Sequence, residues 1–214
     1  YNFAALMSVE LRSVSKSFNQ RPIFNGVTAR VEDGQCLVII GPNGSGKSTL
    51  LRLICGLLRP SSGDVIITVD GQEHQPAALR NQIGLVAPDV ALYGELTALE
   101  NMAFLARVRG IAAGHDEFKA LLRRVGLAGR GYDEVRTYSS GMRHRLKYAC
   151  ALLHRPPLLI LDEPSTNLDE DGVAIAREVM DEQKQRGILI FATNDPHEVA
   201  LGDQVLRLGK VGRL

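Results

Sequence analysis

An excess of charge of either sign is missing from this chain. Its 25 Lys and Arg stand against 24 Asp and Glu, for a formal charge of +1, so nothing points to a nucleic-acid surface held by bulk charge, and no nucleic-acid partner is expected. Cysteine is scarce. Cys36, Cys55 and Cys150 lie far apart inside apolar segments, without metal-ligand spacing and in odd number. Free buried thiols in a reducing compartment are expected. No apolar run approaches the ~20 residues needed to cross a bilayer, and the longest, around Leu158–Leu161, reads as a core strand. The first residues lack the basic start and apolar block of a signal peptide. Met7 reads as the native start, with Tyr1–Leu6 added ahead of it. Internal repeats, heptads and low-complexity stretches are missing too. What remains, 45% hydrophobic and 23% charged, is an ordinary globular composition over 214 residues. That is enough to bury a full core in one or two domains.

Strand-like and helix-like segments alternate, as in a parallel or mixed sheet covered by helices. Ser8–Phe18 alternates apolar and polar residues and reads as an edge strand. Val27–Val31 reads as another, closed by the turn signal Glu32-Asp33-Gly34. Cys36–Ile40 is an unbroken apolar run, expected for a strand buried on both faces. Lys47–Leu58 has helical spacing and stops at Pro60-Ser61-Ser62-Gly63, after which Asp64–Val69 returns as a strand. From Thr97 to Leu153 the pattern is helical, punctuated by Gly110, Gly114, Gly126 and Gly131 and opened by a Thr97/Glu100 capping box. Leu158–Leu161 (strand), Glu170–Arg186 (helix) and Ile188–Ala192 (strand) restore the alternation.

Between the Cys36–Ile40 strand and the next helix lies Gly41-Pro42-Asn43-Gly44-Ser45-Gly46-Lys47-Ser48-Thr49, which fits G-x-x-x-x-G-K-[ST] in its required strand–helix context. Glycines let the backbone curl so that consecutive N–H groups converge on an anion. The helix that follows turns its positive end to the same place. Lys47 is expected to reach the β- and γ-phosphates of a nucleotide and the Ser48 hydroxyl to ligate Mg²⁺. The bland alternative is a glycine-rich turn with a solvated lysine. Leu158–Leu161 runs into Asp162 and Glu163, a pair of carboxylates at a strand end. Beside a nucleotide, Asp162 would hold Mg²⁺, and Glu163 would orient a water and accept its proton. Alone, the pair also fits an acidic lead-in to the Glu170 helix.

The ordered set of motifs resembles the nucleotide-binding subunits of ABC (ATP-binding cassette) transporters along nearly the whole chain. Gly41–Thr49 is similar to the Walker A loop and Leu158–Glu163 to the Walker B strand with its glutamate. Tyr138-Ser139-Ser140-Gly141-Met142 resembles the LSGGQ signature, and Ser165-Thr166-Asn167-Leu168-Asp169 the D-loop. The resemblance implies a P-loop NTPase core with a mixed sheet flanked by helices, an N-terminal antiparallel β subdomain and an inserted α-helical subdomain. All 214 residues would form one ATPase domain, with the core at about 1–87 and 155–214 and the helical part at about 88–154. It implies Phe18 stacking on adenine, and Asp169 in the D-loop near the nucleotide. Ser139, Ser140 and Gly141 would form a second anion site, used on the ATP of an opposing subunit. As a bare helix start, Ser139 is equally an N-cap.

Three positions depart from the family. Pro88 stands at the Q-loop glutamine, leaving Asp89 or a water for that contact. Asn194 stands at the switch histidine, and the signature reads Tyr-Ser-Ser-Gly-Met. Asn194 can still donate a hydrogen bond to a γ-phosphate, but without charge. Hydrolysis of MgATP with ATP and Mg²⁺ as cofactors is expected, at a rate lowered by these changes. The expected partners are a separate transmembrane permease and a second ATP-binding subunit, identical or not. The exposed part of Val90–Met102 would face the permease, placing the chain on the cytoplasmic face of a membrane. Leu96–Met102 is similar to a stretch in haem-exporter subunits of cytochrome c maturation. The readings from other classes are a soluble ABC ATPase acting on nucleic acid or ribosomes, and an ATP-gated clamp with little hydrolysis.

Overall fold

The computed structural model describes residues 6–209. The reading of the first residues as an addition falls mostly outside that range. Among the described residues the strands form two separate sheets. β1 (Met7–Phe18), β2 (Arg21–Glu32), β4 (Ser62–Val69) and β5 (Gln72–His74) make an antiparallel sheet in the order β2-β1-β4-β5. β3 (Cys36–Ile40), β6 (Ile83–Val86), β7 (Leu158–Asp162), β8 (Ile188–Ala192) and β9 (Gln204–Arg207) make a parallel sheet in the order β6-β7-β8-β3-β9. The mixture of strand directions is thus divided between two sheets.

The alternation of strand side chains explains the layering. One face of the parallel sheet, with Val38, Leu159, Leu161, Leu189 and Phe191, packs on the helical side. There lie α2 (Ala98–Val108), α3 (His115–Arg124), α4 (Ser140–Leu152) and α5 (Glu170–Arg186). The other face, with Leu37, Ile39, Ile160, Ile188 and Ile190, packs on α1 (Lys47–Ile54) and on the inner face of the antiparallel sheet. Covered on both faces, β7 and β8 are buried at every residue, which is why they read as unbroken apolar runs.

β1, expected at an edge, lies between β2 and β4; β1, β4 and β7 differ from their expected bounds by one or two residues, and β2 and α1 differ by more. β2 begins at Arg21, because its polar first half pairs with β1 across the tight turn at Asn19 and Gln20, both with positive φ. α1 stops at Ile54, four residues early. Gly56 takes φ 66° and the chain winds through a turn before Pro60. The Thr97/Glu100 capping box is formed in both directions, and the three cysteines are buried and free.

Parallel strands bring their C-terminal ends to one edge, where the loops gather. Register aligns Ile39 with Ala192, Ala192 with Asp162, and Val86 with Leu161. At the opposite edge a single buried amide ties the structure together. Gln183 Nε2 donates to the carbonyls of Pro156 (3.2 Å), Pro157 (3.1 Å) and Ile188 (3.2 Å).

Candidate functional site

The phosphate loop leaves β3 at Gly41 and re-enters regular structure at Lys47. Two glycines have no substitute. Gly41 has φ 156°, and a Cβ there would lie 2.4 Å from the Leu208 carbonyl oxygen. Gly46, in the left-handed region at φ 98°, caps α1, and a Cβ would sit 2.5 Å from Ile23 and 2.8 Å from Phe24. The antiparallel sheet therefore presses directly on the loop. Ser45 is fully buried, and its Oγ has no hydrogen-bond partner. An unsatisfied buried hydroxyl is costly, and a phosphate oxygen would satisfy it.

Lys47 is 7% exposed. Its Nζ donates to the Gly41 carbonyl (2.9 Å) and to Asn194 Oδ1 (3.2 Å), and Glu163 Oε1 lies 3.9 Å away. Asn194 Nδ2 donates in turn to Asn43 Oδ1 at 2.8 Å. Four residues expected to meet around a nucleotide, Asn43, Lys47, Glu163 and Asn194, are therefore already linked. Asn194 follows β8, and His197 falls inside the short helix α6 (Pro196–Val199), capped by Asp195. A cleft of about 410 Å³ between Gly41, Pro42, Asn194, Pro196 and Arg207 opens beside the loop.

Asp162 ends β7 with 5% exposure, and its Oδ1 has no hydrogen-bond partner. Burial pushes its carboxyl above the usual carboxylate range, opposed by the Ser48 hydroxyl and the Arg52 and Lys47 charges. An orphaned, desolvated carboxylate near a serine hydroxyl fits the oxygen chemistry of Mg²⁺. No group of three or more His, Cys, Asp or Glu is gathered for a metal among the described residues. That composition suits a cation that takes most of its ligands from phosphates and water.

The raised pKa has a testable sign. The folded protein holds the Asp162 proton more tightly than the unfolded chain, so ionisation costs stability as pH rises through and above the ordinary carboxylate range. In metal-free protein, Asp162→Asn is expected to raise the Tm at pH 7 by about 2–4 °C, the equivalent of ~1 kcal/mol of relieved desolvation. At about pH 3, where Asp162 is protonated, it should change nothing. A lower Tm at pH 7 on calorimetry would contradict this account.

Glu163 departs from a sequence rule. A residue before proline is biased towards extended backbone, yet Glu163 takes φ 55° ahead of Pro164. Its N–H donates to the Ala192 carbonyl (2.9 Å), and the buried Tyr148 hydroxyl holds the Pro164 carbonyl (2.9 Å). The left-handed backbone costs about 1–2 kcal/mol and turns the side chain off the line of β7. Burial raises the Glu163 pKa, the Lys47 charge lowers it, and Asp162 and Glu198 raise it further.

Ser139 is the N-cap of α4, accepting from the Met142 N–H at 3.1 Å, with Ser140 and Gly141 in the first turn. A Cβ on Gly141 would come within 2.9 Å of the Asn167 carbonyl oxygen, so the D-loop segment lies against this helix start. Asp169 caps α5 by accepting from the Gly172 N–H. Phe18, at the end of β1, is 45% exposed, with Lys16 Nζ 4.8 Å above its ring. At the Pro88 position the backbone carries the contacts. Lys147 Nζ from α4 donates to the carbonyls of Ala87 (2.9 Å) and Pro88 (2.6 Å), and Asp89 pairs with Arg52 at 2.7 Å. Sequence reasoning gave no role at the site to Arg52, Lys147, Tyr148 or Glu198, although the run Arg143–Ala149 resembles the basic helix that follows the family's signature and Arg52 stands four residues after Ser48 on one face of α1.

A protein-family model described as ABC transporter matches residues 24–166. The chain is 33% identical over 190 residues to the linearmycin resistance ATP-binding protein LnrL of Bacillus subtilis, covering 87% of this chain and 60% of that protein. It is 34% identical over 202 residues to the cytochrome c biogenesis ATP-binding export protein CcmA of Cupriavidus pinatubonensis, covering 93% and 88%. A solved ATP-binding subunit of an ABC transporter superposes with a TM-score of 0.80 at 28% identity, covering 95% and 88%. With motifs, architecture and these likenesses in agreement, the chain belongs to the ABC transporter family, among its ATP-binding ATPase proteins.

Proposed function

We propose that this chain is the ATP-hydrolysing motor subunit of a membrane transporter, binding MgATP at Gly41–Thr49 and closing on a second ATP-binding subunit. The observation that carries the reading is the convergence on one sheet edge of a glycine-rich loop with a buried, unpartnered Ser45 hydroxyl, the buried Lys47, and two carboxylates whose pKa burial raises. Backbone N–H groups of the loop and Lys47 hold the phosphates, and Phe18 supplies an aromatic face for adenine. Ser48 and Asp162 are the residues that would hold Mg²⁺, which would supply positive charge to offset that of the phosphates. Glu163 orients a water and takes its proton as the water oxygen bonds to the γ-phosphorus and the bond to ADP breaks. Asn194 donates its amide to the γ-phosphate without adding charge.

Ser139, Ser140 and Gly141 face the other subunit's nucleotide in this reading, and Asp169 ends the D-loop that crosses between subunits. The core, at about 1–87 and 155–214, and the helical subdomain, at about 88–154, are the two parts that move against each other on closure. Among the described residues no helix is long and apolar enough to cross a membrane; in this reading a separate permease supplies the membrane path and holds the chain on the cytoplasmic face. Its contact surface is supported by exposed aromatic and apolar side chains. Tyr93 is 53% exposed and meets Phe104 edge-on at 5.0 Å, and Val108 follows one turn along α2. The Tyr93 backbone is fixed from below by the buried Asn101, which accepts from its N–H and donates to its carbonyl. Leu92 instead packs against the core. The two relatives, at near-equal identity, bear names of different tasks, linearmycin resistance and cytochrome c biogenesis. Those names support a motor shared among different cargoes, with the cargo set by the permease.

Tyr93→Glu with Phe104→Glu is expected to abolish co-purification of a polytopic membrane protein from detergent-solubilised native membranes, with MgATP affinity changed less than about twofold, since truncating an interface aromatic commonly costs ~2 kcal/mol or more. Retention of the membrane protein by the double variant would remove this surface from the reading.

A further inference from the structure

The loop after β6 brings a carboxylate to the metal side of the site that neither the phosphate loop nor β7 accounts for. A cleft of about 210 Å³ is lined by Ser48 and Arg52 from α1, by Asp162 from β7, and by Asp89 from this loop. That is ample room for a cation with several of its waters. Into this cleft stands Asp162, only 5% exposed, with an oxygen that has no partner. Asp89 does not ride on a free arm. Register sets Val86, the last residue of β6, against Leu161, one residue before Asp162, and Lys147 clamps the carbonyls of Ala87 and Pro88.

Two carboxylates on one cleft need a counter-charge. Arg52 provides it, 2.7 Å from Asp89, and its charge also favours ionised Asp162 whereas that of Asp89 opposes it. The side chains that bracket Asp89 are therefore Arg52 on α1 and Lys147 on α4, with Asp162 sharing its cleft. Oxygen-seeking divalent cations keep several waters and take one or two carboxylates, so a second carboxylate has a use there as an acceptor for a shell water.

We propose that Asp89 is a further carboxylate of the divalent-cation site, binding the cation through its water shell, and that Arg52 is the counter-ion Asp89 gives up when the cation arrives. This rests on Ser48 and Asp162 being the cation side of the nucleotide site.

The test uses the full chain carrying Glu163→Gln, saturated with ATP, and Mn²⁺ as probe, free Mn²⁺ being read by electron paramagnetic resonance. Asp89→Asn is expected to weaken Mn²⁺ binding about tenfold, equivalent to ~1.4 kcal/mol, and Asp89→Glu to stay within about threefold of the parent. Arg52→Gln is expected to tighten it severalfold, since the competing cation is gone. Metal-free ATP affinity should hold within about twofold throughout. A purely structural Arg52–Asp89 pair would shift Mn²⁺ affinity in the same direction in both variants, and that result overturns the proposal, as does Asp89→Asn within twofold of the parent. Failure of the parent itself to bind Mn²⁺ with ATP would instead strike the nucleotide-site reading on which the proposal stands.

Discussion

Glu163→Gln is expected to lower steady-state ATP turnover by about a thousandfold while leaving ATP bound. A positioned general base contributes roughly 10²–10⁴ in rate, and the carboxylate here meets the requirements of one. It is held off the β7 line by a left-handed backbone, pinned through its N–H to Ala192, and its proton affinity is raised by burial. Glutamine keeps shape and hydrogen-bonding capacity and removes only the proton acceptor, so phosphate release should collapse while equilibrium nucleotide binding persists. Enzyme-coupled phosphate release on purified protein checks the first half and equilibrium dialysis with labelled ATP the second. Equal rates for the two proteins would remove hydrolysis from the proposed function and leave an ATP-gated clamp.

Lys47→Ala is expected to cost about a hundredfold in MgATP affinity. A hydrogen bond from a charged donor is worth about 1.5–3 kcal/mol, and Lys47 is a buried cation at the end of the Gly41–Gly46 loop proposed to hold the phosphates. In the resting protein its three donors are partly engaged by Gly41 and Asn194, so nucleotide binding exchanges existing bonds for stronger ones to phosphate. That exchange keeps the expected loss, about 2.7 kcal/mol for a hundredfold, within what a single charged hydrogen bond supplies. Titration calorimetry with ATP and Mg²⁺ measures it. An unchanged affinity would contradict the placement of the phosphates in the loop and with it every role assigned around them.

Local chemistry that needs no distant partner was readable in the chain. Cys36–Ile40, Glu170–Arg186 and Ile188–Ala192 have the bounds expected from apolar runs and their stops. Ser139 and Thr97 cap the helices they precede. The α/β class follows from the alternation of elements, whereas the separate antiparallel β subdomain was expected only through the family resemblance, because only long-range pairing decides whether an antiparallel strand joins the parallel sheet. At the site, Gly41–Thr49 and Asp162-Glu163 are legible because backbone geometry and strand ends fix them. The left-handed turn at Glu163 was hidden. The proline after it argues for extended backbone, and the reversal depends on Ala192 and Tyr148, which are remote in sequence. The links from Arg52 to Asp89 and from Lys147 to the Pro88 carbonyl were hidden for the same reason. An ion pair spanning 37 residues leaves no local pattern.

The three carbonyls gathered by Gln183 lie at the end of the sheet away from the nucleotide edge. That rim is held by three carbonyls on one buried amide and the nucleotide rim by the exchangeable bonds of Lys47 and Asn194, so the strand ends near Asp162 and Asn194 give first for a given flexure. Amide exchange should show that asymmetry as a gradient along each strand, slowest at Ile188 and quickening towards Thr193, with bound nucleotide flattening it.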